Sequence, residues 1–435
     1  MDSVMRKPIN NILRPFLIWG KFAYSNNMVG IVEFTGRIEE EDFKQALEII
    51  QKRHPFLATR IEDSSDTYFT CENVSEIPLK IIPREHENLW REIVVDELHK
   101  PFELYVGPLV RVVYIAGQDR GEIVWVFDHI ISDGISRVKL CIELFEIVHA
   151  LKKQEHISCE PDNSWAADAC SALSKYSHDE LQALQDFQGW ASMHGSFSEF
   201  EPPAQNRKTH FIPYDFSPEE TAYIQENYKK HDASLQGILS AAMAQVIAEN
   251  VRAKTGEKTP TVICHHPVNL RPHLNPSLTS SDVGAWVGVV NNEIPIDPDR
   301  NVWDLACSIK KTLYASLEKN HHFAYVARSS IGVDRERSEK SDYDFFVNAQ
   351  VRRPFSVVSQ MGVIQVADTY GDLRIESMRG LYNWTVFLNH QDTFVLSGHI
   401  LRDRFIATFA YVTPYVSHEQ ARMMANKVIQ KLTKN

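Results

Sequence analysis

The chain has 435 residues, 43% of them hydrophobic and 10% aromatic, enough for a large core and more than one core usually serves, so two lobes are expected. Its 46 Lys plus Arg against 57 Asp plus Glu leave a net charge of −11; such a surface would repel a polyanion, which excludes nucleic acid as a first expectation while leaving room for a local basic patch. The six cysteines (Cys71, Cys141, Cys159, Cys170, Cys264, Cys307) are scattered with no C-x-x-C spacing, so a structural zinc and a disulfide framework lack support, and reduced thiols in a cytoplasmic protein are expected.

The opening "MDSVMRKPINNILRPFLIWGKF" holds no apolar stretch long enough for a signal sequence, and no later run approaches the ~20 apolar residues of a membrane span. A soluble, intracellular chain is expected, and the sequons at Asn73 and Asn383 read as chance matches.

In chain order, "MVGIVEFTG" reads as a strand and "EEEDFKQALEIIQKRH" as an amphipathic helix with Phe43, Ala46, Leu47 and Ile50 on one face. "PLVRVVYIAG" is a second strand. "GEIVWVFDH" is a third, apolar until its last two residues. After Ser132-Asp133-Gly134, the residues Val138, Leu140, Cys141, Leu144, Phe145, Val148 and Leu151 recur at helical spacing. Between about 152 and 212 the periodicity weakens and "KKQEHISCEPDNS" and "FEPPAQNRKTH" carry connection-type residues, which places the lobe boundary there. We divide the chain into lobes 1–175 and 176–435. The second lobe restarts with the helix "SLQGILSAAMAQVIAENV", the strands "TPTVICHHPVNLRP" and "VGVVNNEIPI", two alternating runs in "TFVLSGHILRDRFIATFAYV", and a last helix from Ser417. There is no internal repeat. Both halves are read as sheet covered by helices, an α/β sandwich in each lobe.

The stretch "DHIISDG" ends the third strand with Asp128 and His129 and turns at Asp133 and Gly134 into the following helix. With 18 His and average Asp and Gly frequencies, H-x-x-x-D-G arises by chance roughly 0.07 times in such a chain. Two metal ligands at i and i+4 would need a helix through the motif, which Gly134 and the cap-like Ser132-Asp133 oppose. No H-E-x-x-H or third ligand is evident, and His265-His266 and His321-His322 read as surface or strand-end pairs, so no metal is expected. A neutral imidazole at a strand end suits a general base that takes a proton from a hydroxyl or amine.

With these residues the chain resembles the chloramphenicol acetyltransferase-like superfamily of CoA- or carrier-protein-dependent acyltransferases. That superfamily includes nonribosomal peptide condensation domains, plant acyltransferases of the BAHD type, alcohol acetyltransferases and the polyketide-associated acyltransferases of mycobacteria. "DHIISDG" is similar to its H-x-x-x-D-G motif, "FTGRIEEEDFKQALEIIQKRHPFLATRI" to the block ending in R-H-P-x-L, and "KPFELYVGPLVRVVYI" to the P-F-x-x-x-x-G-P-L-x-R block. "HHPVNLRPHL", "VGAWVGVVNNEIPI" and "SVVSQMGVI" with "YGDLRIESM" resemble three further segments in the family's order, so the likeness covers nearly the whole chain.

The resemblance implies an α/β fold of two chloramphenicol-acetyltransferase-like sandwich lobes in a pseudo-dimer, with a central channel and crossover connections. It implies His129 as general base, Asp133 as structural acid and Gly134 as the turn residue whose backbone lies near the oxyanion. It also implies Arg271 as partner of Asp133 and Ser359 as a substrate-binding residue that would orient an acyl group; Trp286, an aromatic of the second lobe, is a further substrate-binding candidate. Tyr343, Phe345 and Phe346 are further aromatics that would line a channel or pack a core. No bound cofactor is implied; the co-substrate would be an acyl-CoA or phosphopantetheine thioester. The partners would be acyl-CoA or an acyl or peptidyl carrier protein and a small alcohol or amine, with the chain acting as a monomer in secondary metabolism.

Several departures bear on subfamily. Asp128 stands where peptide condensation domains usually carry a second His. Ala58 stands where they commonly have an Arg, with Arg60 two residues on. The terminal D-F-G-W-G signature of the plant branch is missing apart from a faint echo around Trp384, and Ser359-Gln360-Met361-Gly362 lacks the Asn of S-N-x-G. With no nucleophile elbow of the G-x-S-x-G kind, transfer without a covalent enzyme intermediate is expected. A free-standing ester- or amide-forming acyltransferase is the first reading. A condensation enzyme joining two carrier-bound substrates is the second, and a non-catalytic carrier-docking member the third.

Overall fold

The computed structural model of the chain describes residues 6–9, 13–22, 25–63, 67–186, 204–274, 276–324, 326–327, 354–385 and 393–433. Elements up to the first long connection are β1 (Arg6–Pro8), α1 (Arg14–Phe22), β2 (Asn27–Thr35), α2 (Glu40–Arg53), β3 (Arg60–Asp63), β4 (Thr67–Thr70), β5 (Leu79–Pro83), α3 (Leu89–His99), β6 (Val110–Ala116), β7 (Arg120–Asp128) and α4 (Gly134–Lys152). There follow α5 (His178–Asp186), β8 (Lys208–Asp215), α6 (Pro218–Lys230), α7 (Leu235–Thr255), β9 (Thr261–Asn269), β10 (Val287–Pro295), α8 (Val302–Glu318), β11 (Phe355–Ile364), β12 (Arg374–Tyr382), β13 (Thr393–Leu401), β14 (Arg404–Thr413) and α9 (His418–Thr433). The predicted strands and helices are all present. Helices α1, α3, α5, α6 and α8 lie where the chain-order reading assigns no element.

The chain forms two compact units. The first combines residues 1–174 with 269–286 and 365–383; the second combines 175–268, 287–364 and 384–435. The chain therefore leaves the second unit twice to contribute short segments to the first.

In the first unit a five-stranded sheet runs β12-β2-β7-β6-β5, beside a three-stranded sheet β1-β4-β3. Strand β7 is hydrogen bonded on both sides and buried from Gly121 to Asp128, which explains why its sequence is a continuous apolar run and not an alternating one. Burial of each side chain such as Ile123, Val126 or Phe127 contributes about 1.5–3 kcal/mol, and this fixes the register that delivers Asp128 opposite Asn27. Strand β12, supplied by the returning segment 365–383, pairs antiparallel with β2 and sets Gly380 opposite Gly30. Those two glycines make room for the Arg137 side chain of α4: a Cβ at Gly30 would fall 2.7 Å from its Cγ, and one at Gly380 2.4 Å from its Cζ.

In the second unit a six-stranded sheet runs β10-β9-β11-β13-β14-β8. Helix α7 is buried almost all round from Gly237 to Ala248, as its Ala-rich, unpatterned sequence requires. Ser234 caps its start by accepting the Gly237 N–H, and Gly256 ends it in the left-handed region at φ 75°. Among the described residues no helix is long and apolar enough to cross a membrane.

Two sequence expectations are corrected here. His265 and His266 are neither surface nor strand-end residues: both lie within β9, His266 is buried, and burial pushes their imidazoles down to about 4 and about 3. A strand points successive side chains to opposite faces, so two adjacent polar residues can both be taken into a sheet's packing. Likewise His322, in a short turn of helix after α8, is buried.

Candidate active site

The site is built at the junction of β7 and α4. The last residue of the strand, Asp128, bends the chain: its Oδ1 accepts the Ile130 N–H at 3.0 Å, an Asx-type turn, and its carbonyl accepts the Ile131 N–H at 3.2 Å. Asp133 then caps α4 in an extended conformation, its Oδ1 accepting the Ser136 N–H at 2.9 Å, and Gly134 is the first helical residue. The D-x-x-x-x-D-G pattern is thus two carboxylates doing two backbone jobs, with His129 between them.

His129 is held on several sides. Its N–H donates to the Asn26 carbonyl at 2.9 Å, and its Nδ1 lies 2.8 Å from the Ser132 carbonyl. A carbonyl can only accept, so Nδ1 carries the proton and Nε2 keeps a free lone pair in the neutral ring. The rings of Phe16 and Tyr382 pack against the imidazole, with centroids 4.9 and 4.8 Å away. Burial lowers its pKa, against the opposing pull of the backbone hydrogen bonds and the Asp133 charge, so the imidazole is neutral at pH 7.

Asp133 is only 5% exposed and accepts four donors. Arg271 Nη1 reaches its Oδ2 at 2.7 Å and Nη2 its Oδ1 at 3.1 Å, and the Trp286 N–H adds a bond to Oδ2 at 2.9 Å beside the Ser136 cap. Burial alone would raise this carboxyl; the Arg271 charge and these bonds hold it below the usual range. Arg271, 1% exposed, also donates to the Asp282 carbonyl through Nε at 3.1 Å and to Ser136 Oγ through Nη2 at 2.7 Å. Ser136 Oγ in turn donates to the Gly284 carbonyl and accepts the Gly284 N–H, both at 2.9 Å. Gly284 has no room for a side chain, since a Cβ there would lie 2.3 Å from Trp286 Nε1.

The segment that carries Arg271 is tied down again by the R-H-P motif. His54 is 1% exposed, with Nδ1 2.7 Å from Asp162 Oδ2 and Nε2 2.7 Å from Glu143 Oε2. Asp162 Oδ2 also accepts the Val283 N–H at 3.0 Å. Burial would lower the His54 pKa, but the two carboxylates raise it, giving an imidazolium clamped between anions. Glu143, also paired with Arg53, is pulled down to about 2: burial would raise it, and His54 outweighs that.

Trp286 is buried, its ring 6.2 Å from Phe56, and it meets the motif through its backbone N–H. Ser359 sits inside β11 opposite Ser397 on β13, in the second unit. Its motif partner Gly362 lies at φ 67° beside an irregularity in that pairing, a backbone conformation that favours glycine. Arg60 donates its Nε to the Glu72 carbonyl at 2.9 Å. Tyr343, Phe345 and Phe346 lie outside the described residues. Among the described residues no group of three or more His, Cys, Asp or Glu is arranged to hold a metal ion.

The family profile described as "Condensation domain" matches residues 20–353, which include this whole turn. The chain is a member of the condensation-domain family. Gramicidin S synthase 2 of Aneurinibacillus migulanus is 29% identical over 144 residues, 32% of this chain but only 3% of that synthase. Among solved structures, the first condensation domain of the calcium-dependent antibiotic synthetase superposes with a TM-score of 0.73 at 13% identity, covering 98% of this chain and 95% of that one. The trichothecene 15-O-acetyltransferase of Fusarium sporotrichioides gives the same TM-score and coverage at 12% identity. The fold is therefore the one shared by condensation domains and chloramphenicol-acetyltransferase-like acetyltransferases.

Sequence reasoning missed Asn26, Tyr382 and Phe16 around the imidazole. None carries a local signal: Asn26 and Tyr382 are 356 positions apart and meet only through the pairing of β12 with β2.

Proposed function

We propose that this condensation-family chain is an acyltransferase that moves an acyl group from a thioester, of CoA or of a carrier protein's phosphopantetheine, to a hydroxyl or amine. The observation that carries the reading is His129: a neutral imidazole with Nδ1–H fixed on the Ser132 carbonyl and Nε2 left as a base, mounted on a turn locked by Asp133 and Arg271. Nε2 takes the proton of the acceptor O–H or N–H as the heteroatom attacks the thioester carbonyl. The tetrahedral oxyanion is stabilised by donors near Gly134 at the start of α4, and collapse expels the thiolate, which receives the proton from His129. One C–S bond breaks and one C–O or C–N bond forms. General-base assistance of this kind is typically worth about 10²–10⁴ in rate. Asp133 and Arg271 serve as positioning residues.

A second reading, condensation of two carrier-bound substrates in a synthetase, is favoured by the local similarity to gramicidin S synthase 2. Asp128 in place of a second His counts toward the first reading. The two are separated by offering the purified chain acyl-CoA with free alcohols and amines, and acyl-loaded carrier protein with aminoacyl-loaded carrier protein, and identifying products by mass spectrometry. Product from free acceptors supports the first reading. Product only when both substrates are carrier-bound overturns it in favour of the second.

A further inference from the structure

Asn26 stands just before β2, is 1% exposed, and bonds to His129 itself, to Asp128 beside it, and to both aromatic residues packed against its ring. Its carbonyl accepts the His129 N–H at 2.9 Å. Its Nδ2 donates to Asp128 Oδ1 at 3.2 Å and to the Phe16 carbonyl at 3.3 Å, and its Oδ1 accepts the Tyr382 hydroxyl at 2.5 Å. Phe16 and Tyr382 are the two aromatic residues whose rings pack against the imidazole, and Asp128 is the residue whose carboxylate bends the chain into it.

We propose that Asn26, acting with Tyr382, is the positioning residue that sets the plane and lone-pair direction of His129. The argument is one of donor and acceptor count. A single buried side chain must donate twice, to a carboxylate and a carbonyl, and accept once from a phenol; an amide does this, and neither a carboxylate nor an aliphatic group can. The Ser132 carbonyl fixes one edge of the imidazole by one bond, which leaves the ring free to tilt. The two packed rings remove that freedom, and Asn26 holds one by its hydroxyl and the other by its backbone. In a low-dielectric surrounding such a network is worth having only when complete, because each orphaned member is costly. The proposal rests on the reading of His129 as the base, since a lone pair needs aiming only if it takes a proton; misplacement of such a group by about 1 Å costs on the order of 10² in rate.

The test is ¹⁵N NMR of the histidine side chains of the full ligand-free chain, with the His129 resonance assigned by its loss in His129→Ala. It compares wild type with Tyr382→Phe, which keeps the ring and removes only the hydroxyl, and with Asn26→Ala. The wild type is expected to show one tautomer, protonated on Nδ1. In both variants we expect mixed tautomers and a titration midpoint moved by about half a unit or more, with the cooperative thermal transition retained. If Asn26→Ala does not fold, Tyr382→Phe decides alone. A His129 tautomer and midpoint identical to wild type in a folded variant would overturn the proposal. The readout uses no substrate, so it stands apart from the assay of the transfer reaction. Where turnover is measurable, kcat of Tyr382→Phe should fall about tenfold with KM nearly unchanged, and an equal change in KM alone would count against positioning.

Discussion

Asp133 and Arg271 are 138 positions apart in the sequence and share two hydrogen bonds, at 2.7 and 3.1 Å, with both side chains buried. The pair fastens the start of α4 to the 269–286 segment within the first unit, and Ser136, Gly284 and Trp286 close the remaining bonds around it. Buried ion pairs are poor sources of net stability, because desolvation offsets most of the attraction. Their value here is geometric: the pair fastens the helix cap at which the turn carrying His129 ends.

Arg271→Ala should leave the Asp133 carboxylate buried without its cation and destabilise the protein by about 3–5 kcal/mol. Arg271→Lys should rescue little, since an ammonium lacks the planar fork that meets both carboxylate oxygens and Ser136. Urea melts of the single variants and of the double variant Asp133→Asn with Arg271→Ala measure this. The double variant should cost less than the sum of the singles, and strict additivity would show that the two side chains do not act as a pair.

The His54 cluster predicts a stability profile with two flanks. His54 titrates in the folded chain above its ordinary 6.5, so its contribution is complete below that value and is lost as pH rises through the raised folded value. Glu143 titrates at about 2 and not its ordinary 4.5, so its contribution is complete above 4.5 and is lost as pH falls toward 2. Maximum stability from this cluster therefore lies between about 4.5 and 6.5. His54→Gln should cost about 3 kcal/mol in that window and flatten the alkaline flank, as followed by thermal melts from pH 4 to pH 9. An unchanged alkaline flank would refute the assignment.

Asp128 is predicted to work against stability at neutral pH. Burial pushes its carboxyl up to about 7 from an ordinary 3.8, only partly countered by the Ile130 N–H, Asn26 and the charge of Arg111. A raised carboxyl pKa means that the folded state pays nothing below 3.8 and carries a growing penalty as pH rises toward 7, where it levels off. Asp128→Asn keeps the acceptor for Ile130 and Asn26 and removes the charge. It should be near neutral at pH 4 and stabilising by a few kcal/mol at pH 8, and an equal effect at both would contradict the account.

The turn from β7 into α4 was legible in the sequence because its signals are local: an unbroken apolar run that ends in two polar residues, and an Asp-Gly that caps a helix; that Asp128 bends the chain appears only in the structure. Helix α7 was legible for the same reason. Arg271 was reachable only through the family resemblance, because nothing near residue 271 announces a partner at 133. Asn26 and Tyr382 were not reachable, since the network they form depends on which register β12 adopts against β2. His265 and His266 were misread because adjacent polar residues look like the end of a strand when the packing on its two faces is unknown. The R-H-P motif was visible as a family block, but its work, clamping Asp162 and through it the backbone at Val283, appears only once α2, α4 and the 269–286 segment are assembled.

The central claim is that Nε2 of His129 takes the acceptor's proton. It is tested most directly by the acyl-transfer rate of His129→Ala against wild type, measured on the same thioester and acceptor, with far-ultraviolet circular dichroism showing that the variant is folded. The account predicts a fall of about 10²–10⁴ in kcat with substrate binding retained. A folded His129→Ala protein that transfers at a near-native rate would contradict it.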